Sequence, residues 1–308
     1  MATAQRLRVE RPRRGRSAFS GERLIPVLLV LPSAVLIGLF VYAFIGYTGF
    51  VSLTAWRGIN PDYTFVGLQQ YQQLFDLERF QADLSNTVRF TALFLSASIV
   101  LGLGAALLLD QRLRGTIVFQ IVFLFPLAIS FVVTGTVWRW IFNPNYGINL
   151  LLERAGLGFL ASDWLTNVDT ALYAVVIAAV WQMSGFCMAM FLAGLRSIPE
   201  ELREAAQVDG ASWFQTQRMI ILPLLNPILL AAVIILGHIS LKIFDLVFVM
   251  TFGGPGFATD MPGLHMFIAT FRQNLYARGA AIATVLLLMV AVLIVPYLIW
   301  QQRAERRR

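Results

Sequence analysis

Six runs of largely apolar residues, at approximately 24–52, 87–109, 117–142, 170–194, 227–252 and 279–300, dominate the sequence. A helix needs about 20 such residues to cross the hydrocarbon core of a bilayer. None of the six has the polar alternation of a lipid-facing β-barrel strand. In lipid, a helix is then the way for each run to satisfy its own backbone hydrogen bonds. The expected fold class is an all-α membrane protein with six transmembrane helices. Composition agrees: the 308 residues are 58% hydrophobic and 13% charged, with mean hydropathy +0.70, too little polar surface for water to be the main solvent. The first run is longer than the apolar region of a signal peptide, and no small-residue cleavage site follows it, so it is expected to be a retained span.

The arginines orient these spans. With both termini in the cytoplasm, sixteen arginines fall inside, in the two tails and at Arg112, Arg114, Arg196, Arg203 and Arg218, against seven outside. The positive-inside rule favours that arrangement. Trp56, Trp138, Trp140, Trp164 and Trp300 fall at or near span ends, as an aromatic belt requires, while Trp181 is mid-span. The expected organisation is a basic tail (1–23), a first helix with its outer loop (24–86), a five-helix domain (87–300) and a second basic tail (301–308). A net charge of +7 could otherwise suggest nucleic acid, but the positive charges are too scattered to form a basic groove, and none is expected to bind. Cys187 is the single cysteine, so no internal disulfide can form. His238 and His265 have no ligand cluster around them in the sequence, and no metal site is expected.

Only one cytoplasmic connection is sizeable, from Arg196 through Asn226. Ser197 followed by Glu200 reads as a capping box, with Pro199 in the first turn. Glu200, Glu201 and Glu204 place negative charge near the positive end of a helix dipole. Gly210 can take the left-handed conformation that ends a helix. A second amphipathic piece, Ser212 to Leu222, leads to Pro223. This predicts a helix-turn-helix on the cytoplasmic face. It could lie in the headgroups, but such helices are normally basic on the polar face. This one is acidic at its start and carries Ala205 and Ala206, small enough for another protein to approach closely. On physical grounds alone both readings stay open.

Glu204-Ala205-Ala206-x-x-Asp209-Gly210-Ala211, followed by Ile220-x-Leu222-Pro223, resembles the EAA loop of binding-protein-dependent ABC importer permeases. Further stretches resemble the carbohydrate branch of that family: Phe65-Val66-Gly67-Leu68 with Tyr71 and Leu74-Phe75, Asn86-Thr87, Pro126 with Ser130, Trp138-Arg139-Trp140-x-Phe142-Asn143-Pro144, Gly147 with Asn149, Phe244-Asp245, and Gly253-Gly254-Pro255-Gly256. The resemblance implies the type I ABC importer permease fold and a place in a bacterial or archaeal cytoplasmic membrane, among lipid. It implies that Glu204, Ala205, Ala206, Asp209, Gly210, Ala211, Ile220, Leu222 and Pro223 couple the chain to an ATP-binding-cassette ATPase dimer. The other implied partners are a second homologous permease and an extracytoplasmic sugar-binding protein delivering a mono- or oligosaccharide. ATP and magnesium would sit on the ATPase, leaving this chain without a cofactor or catalytic residue.

The residues agree that this chain is not the ATPase. A P-loop needs a lysine in Gly-x-x-x-x-Gly-Lys-Ser/Thr, and the single lysine, Lys242, lies in the fifth run without that context. His238, Lys242 and Asp245 are spaced by four and three, which on a continuous helix puts them on one face. Ionisable groups at membrane depth are costly and usually face a bundle interior or a water-filled path. They read either as a Lys242–Asp245 pair that packs helices or, with Phe244, as the lining of a substrate pathway. An importer of a non-sugar solute, or an ion-coupled secondary transporter using Lys242 and Asp245, are the alternatives. The absence of a clear repeat between the two halves weighs against the latter.

Overall fold

The computed structural model describes residues 21–111 and 115–305; most arginines of the two tails, with Arg112 and Arg114, lie outside the described residues. The chain divides into two compact units, Met1–Tyr47 and Thr48–Arg308. In the first, α1 (Gly21–Ile37) runs through a π turn at Gly38–Tyr42 into α2 (Ala43–Val51), which continues into the second unit. From Pro26 to Tyr47 every side chain is exposed, so this apolar helix builds no core of its own. That is what a lipid-facing span requires.

The second unit begins with a loop in which Thr54 and Phe65 form an isolated antiparallel bridge, and Ser52 Oγ lies 2.6 Å from Tyr71 Oη. Then come α3 (Gln69–Asp76), α4 (Glu78–Asp110), α5 (Thr116–Leu124), α6 (Phe131–Ile141), α7 (Ile148–Arg154) and α8 (Ala171–Ser197). After these follow α9 (Glu200–Val208), α10 (Trp213–Thr216), a π segment Gln217–Ile221, α11 (Leu222–Leu224) and α12 (Asn226–Leu241). The chain closes with α13 (Asp245–Met250), α14 (Pro262–Phe267) and α15 (Tyr276–Glu305).

The core is centred on α4 and α8. Phe90, Phe94, Ala106, Cys187, Met188, Phe191 and Leu195 are buried there in one cluster. The two backbones approach closely at Gly102, where a Cβ would lie 2.3 Å from the Cβ of Cys187. No larger residue fits, which is the usual role of a small residue between packed membrane helices.

Each predicted apolar run has a counterpart, but not always a straight one. Among the described residues four helices are long and apolar enough to span a membrane: Pro26–Val51, Glu78–Asp110, Ala171–Ser197 and Tyr276–Ile299. The second starts nine residues before the predicted 87, because Glu78, Arg79 and Asp83 break the hydropathy pattern without breaking the helix. The third run is a bent pair, Thr116–Ala128 with Phe131–Ile141, at 102°. Pro126 sits in the short 3₁₀ turn, Ile129 is extended, and Ser130 caps α6 by accepting from the Val133 amide at 3.3 Å. The bend frees a carbonyl at Ile129, and Gln182 of α8 donates to it at 2.7 Å. A broken helix at membrane depth needs such a replacement partner.

The fifth run departs further from expectation. Helix α12 ends at Leu241, and Phe244 (φ −133°, ψ −57°) interrupts it before α13 begins. It is instead Trp213–Leu224 that pairs with Asn226–Leu241, across a 62° bend. His238, Lys242 and Asp245 therefore do not share the face of one helix. No Lys242–Asp245 ion pair forms among the described residues.

Candidate functional site

The Arg196–Asn226 segment is a helix, a turn and a second helix. The predicted capping box at Ser197 does not form. Ser197 is still the last residue of α8, its hydroxyl donates back to Gly194 O at 2.8 Å, and the N-cap of α9 is Pro199. The capping box lies instead at Ser212, whose hydroxyl accepts from the Gln215 amide while the Gln215 side chain accepts from the Ser212 amide at 2.8 Å. Both Ser-x-x-Glu/Gln patterns fit the rule; Ser197 is lost to it because α8 runs one turn further than the apolar pattern indicates.

Gly210 ends α9 as predicted. Its φ is +75°, the Ala211 amide donates to Ala206 O at 2.9 Å, and the Gly210 amide to Gln207 O at 3.0 Å. This is the paired closure of a Schellman motif. Of the two alanines expected on the surface, Ala205 is exposed but Ala206 is buried against the rest of the chain. Glu204, Asp209 and Gly210 are exposed, Ala211, Ile220 and Leu222 are half-buried, and Pro223 is exposed.

Sequence reading missed what surrounds Gly210. Val208 is 87% exposed and Met219 74%, and Leu202, Trp213 and Phe214 are exposed as well. Large exposed apolar side chains on one short segment are a feature of surfaces that contact a protein or a membrane. The signal was present in Val208 and in Trp213-Phe214, flanking the glycine turn.

At the other candidate site, His238, Lys242 and Phe244 line a cleft of about 540 Å³ together with Met266, Phe267 and Leu287. Nδ1 of His238 is buried without a hydrogen-bond partner among the described residues. Phe244 packs on Phe248 and Phe267 with centroids 5.1 and 5.5 Å apart. Asp245 is exposed and is not part of this lining. Three of the four predicted pathway residues therefore meet, and Asp245 stands apart.

A family model described as a binding-protein-dependent transport system inner membrane component matches residues 98–308. The chain belongs to the carbohydrate-importer permeases of that family. A probable ABC transporter permease protein of Pyrococcus horikoshii is 44% identical over 282 residues, covering 91% of this chain and 97% of the relative. The xylose/arabinose import permease protein XacH of Haloferax volcanii is 40% identical, covering 87% of this chain and 85% of its own length. Among solved structures, a bacterial ABC transporter that imports the acidic polysaccharide alginate contains a chain of the same fold, with TM-score 0.78 at 20% identity, covering 93% and 96% of the two chains. This permease is thus an all-helical, multi-pass membrane protein of sugar transport.

The permease also holds a buried polar cluster that its sequence pattern did not reveal. Arg79 donates from Nε to Asp260 at 2.6 Å, and its guanidinium lies 5.1 Å from the centroid of the Phe257 ring. Asn86 donates to the carbonyls of Phe257 (2.8 Å) and Asp260 (3.1 Å), and His265 Nδ1 lies 2.6 Å from Asp83 Oδ2. Burial pushes Asp260 up to about 6, reinforced by the Asp83 charge and opposed by Arg79. Burial, and next the Arg79 charge, push His265 down to about 4, so its ring is neutral at physiological pH. These residues join the start of α4 to the loop that follows α13 and, through His265, to α14. The carboxylates are occupied by Arg79 and His265, and among the described residues no acidic or histidine group could hold a metal.

Proposed function

We propose that the chain is one of two permease subunits forming the sugar pathway of an ATP-driven importer in the cytoplasmic membrane, with both termini inside. In this reading a separate ATPase dimer grips the Arg196–Asn226 segment, a second homologous permease completes the pore, and an extracytoplasmic binding protein delivers the sugar. Closure of the ATPase on ATP would move α9 and switch the helices between inward-open and outward-open arrangements. The observation that carries the reading is the uncovered apolar patch of Val208, Trp213, Phe214 and Met219 around an ordered glycine cap. A patch of this kind is costly in water and is not basic enough on its polar side to suit headgroups. The solute assignment leans on relatives such as the xylose/arabinose permease, and on a second alginate-importer structure, TM-score 0.76, solved with a pentasaccharide-bound periplasmic protein.

Docking is tested by pull-down. Trp213→Ala combined with Val208→Asp should remove buried aromatic area and place a desolvated charge at the contact, so the ATPase should no longer co-purify with the permease. Full recovery of ATPase with the double variant would sink the docking reading.

The cleft beside His238 and Lys242 supplies groups expected of a sugar path: a lysine amine, a ring nitrogen without a partner among the described residues, and Phe244 and Phe267 to pack against sugar C–H faces. Lys242→Ala should lower uptake by about tenfold, the equivalent of one lost charge-assisted hydrogen bond, while the ATPase still assembles. Unchanged uptake in proteoliposomes would remove Lys242 from the pathway.

A further inference from the structure

The cluster of Arg79, Asp83, Asn86, Asp260 and His265 sits at one end of α4, and a second, partly buried ion pair sits at the other. Arg203 donates from Nη1 to Asp110 Oδ2 at 2.7 Å, both side chains being less than one-fifth exposed. Arg203 also donates from Nη2 to Leu195 O, in the last turns of α8, at 3.3 Å. Arg203 belongs to α9 but points inward, away from the exposed Leu202, Glu204 and Ala205, so it ties the docking helix to α4 rather than to a partner. Between the two clusters α4 is uninterrupted over 33 residues, roughly 50 Å at the rise of an α-helix. It is braced along its length by the Gly102 contact to α8 and by a 2.9 Å hydrogen bond from Thr91 to Ser240 of α12. A helix held at both ends by partly buried charge pairs resists slipping at either attachment, because slipping would separate the charges.

We propose that α4 is the strut linking the docking helix to the outer turn, with Arg203–Asp110 as its cytoplasmic joint and Arg79–Asp260 with Asn86 as its outer joint. Displacement of α9 by the ATPase is passed through Asp110 along α4 to the Gly253–Asp260 turn, on the face that would receive the binding protein. Arg203 is in this scheme a positioning residue: it neither touches the ATPase nor the sugar. The inference rests on the docking reading above and adds the route by which docking is felt on the far side.

The test uses the permease purified with its ATPase and reconstituted in liposomes, with Mg-ATP plus vanadate as the only effector. Cysteine introduced as Ala258→Cys in the outer turn reports the far end through its rate of labelling by a membrane-impermeant maleimide. Cys187 is fully buried, and the chain without the Ala258 substitution serves as the control for it. Trapping with ATP and vanadate should change labelling at position 258 by about fivefold or more, the range of a moderate coupling free energy. With Arg203→Ala, or separately with Asp110→Asn, the ATPase should still co-purify and hydrolyse ATP, but labelling should no longer respond. The swap of Asp110→Arg with Arg203→Asp should restore the response, which a merely destabilised protein would not do. A full response in either single variant overturns the strut. If no ATPase co-purifies with the parent chain, the docking reading itself falls, and the strut falls with it.

Discussion

Gly210→Val should abolish most sugar uptake, by roughly tenfold or more, while ATP hydrolysis continues without stimulation by loaded binding protein. The physical cause is the backbone. Gly210 holds φ at +75°, a conformation that costs a residue with a Cβ about 1–2 kcal/mol and a β-branched residue more. Among the described residues, nothing beyond its two chain neighbours lies within 4 Å of where the new Cβ would stand, so they do not clash with it. What is lost is the closure of α9, and with it the direction in which the chain leaves toward the Ser212–Gln215 box. Gly210→Asn separates the two ways in which this could uncouple transport, since asparagine accepts the left-handed conformation far better than valine. Uptake in the asparagine variant close to the parent assigns the effect to the turn. Equal loss in both variants assigns it to close approach by the ATPase. Normal uptake with valine would show that this turn plays no part in coupling, whatever else the segment does.

Asp260→Ala should have the largest effect on folding. The carboxylate is fully buried, accepts from Arg79 Nε at 2.6 Å and from the Met261 amide at 3.0 Å, and anchors a loop to a helix 181 residues away in sequence. Removing one partner of a buried pair leaves the other charge without compensation, at a cost of roughly 3 kcal/mol or more. That corresponds to a loss of roughly 6 °C or more in thermal unfolding in detergent, with a lower yield of membrane-inserted protein. Asp260→Asn should lose less, because the amide oxygen can still accept from Met261 and nearly the same volume is filled. An alanine variant melting with the parent would show that the cluster contributes nothing to holding the loop on α4.

Much of this protein is legible without its structure. Apolar runs announce the spans because lipid leaves a backbone few other choices, and among the described residues four helices are long and apolar enough to cross, or up to six if each bent pair is one span. The Gly210 turn was readable since few residues other than glycine can end a helix with positive φ. The Ala-Ala-x-x-Asp-Gly stretch resembles a family motif, and that resemblance singled out the segment proposed for coupling. Where reading failed, the cause was context. Ser197 and Ser212 carry equally good capping patterns, and only the extra turn of α8 decides between them. The break at Lys242–Phe244 has no glycine or proline anywhere from 238 to 252, so periodicity carried the helix through it and placed Asp245 with His238 and Lys242. Ala206 looked like surface because burial depends on what lies beneath a helix, not on its own composition.

The sequence by itself determined the solvent this protein lives in, where its apolar runs lie and the place where the segment after α8 had to turn. Those are local properties, set by hydropathy over about 20 residues or by the allowed φ of one. Only the tertiary structure decided which polar and charged groups are paired. Arg79 with Asp260, Asp83 with His265 and Arg203 with Asp110 are separated by 181, 182 and 93 residues. Their pairing follows from how α4 lies against the rest of the fold. A charge becomes tolerable inside a membrane protein through the partner that packing brings to it, and no pattern along the chain encodes that meeting.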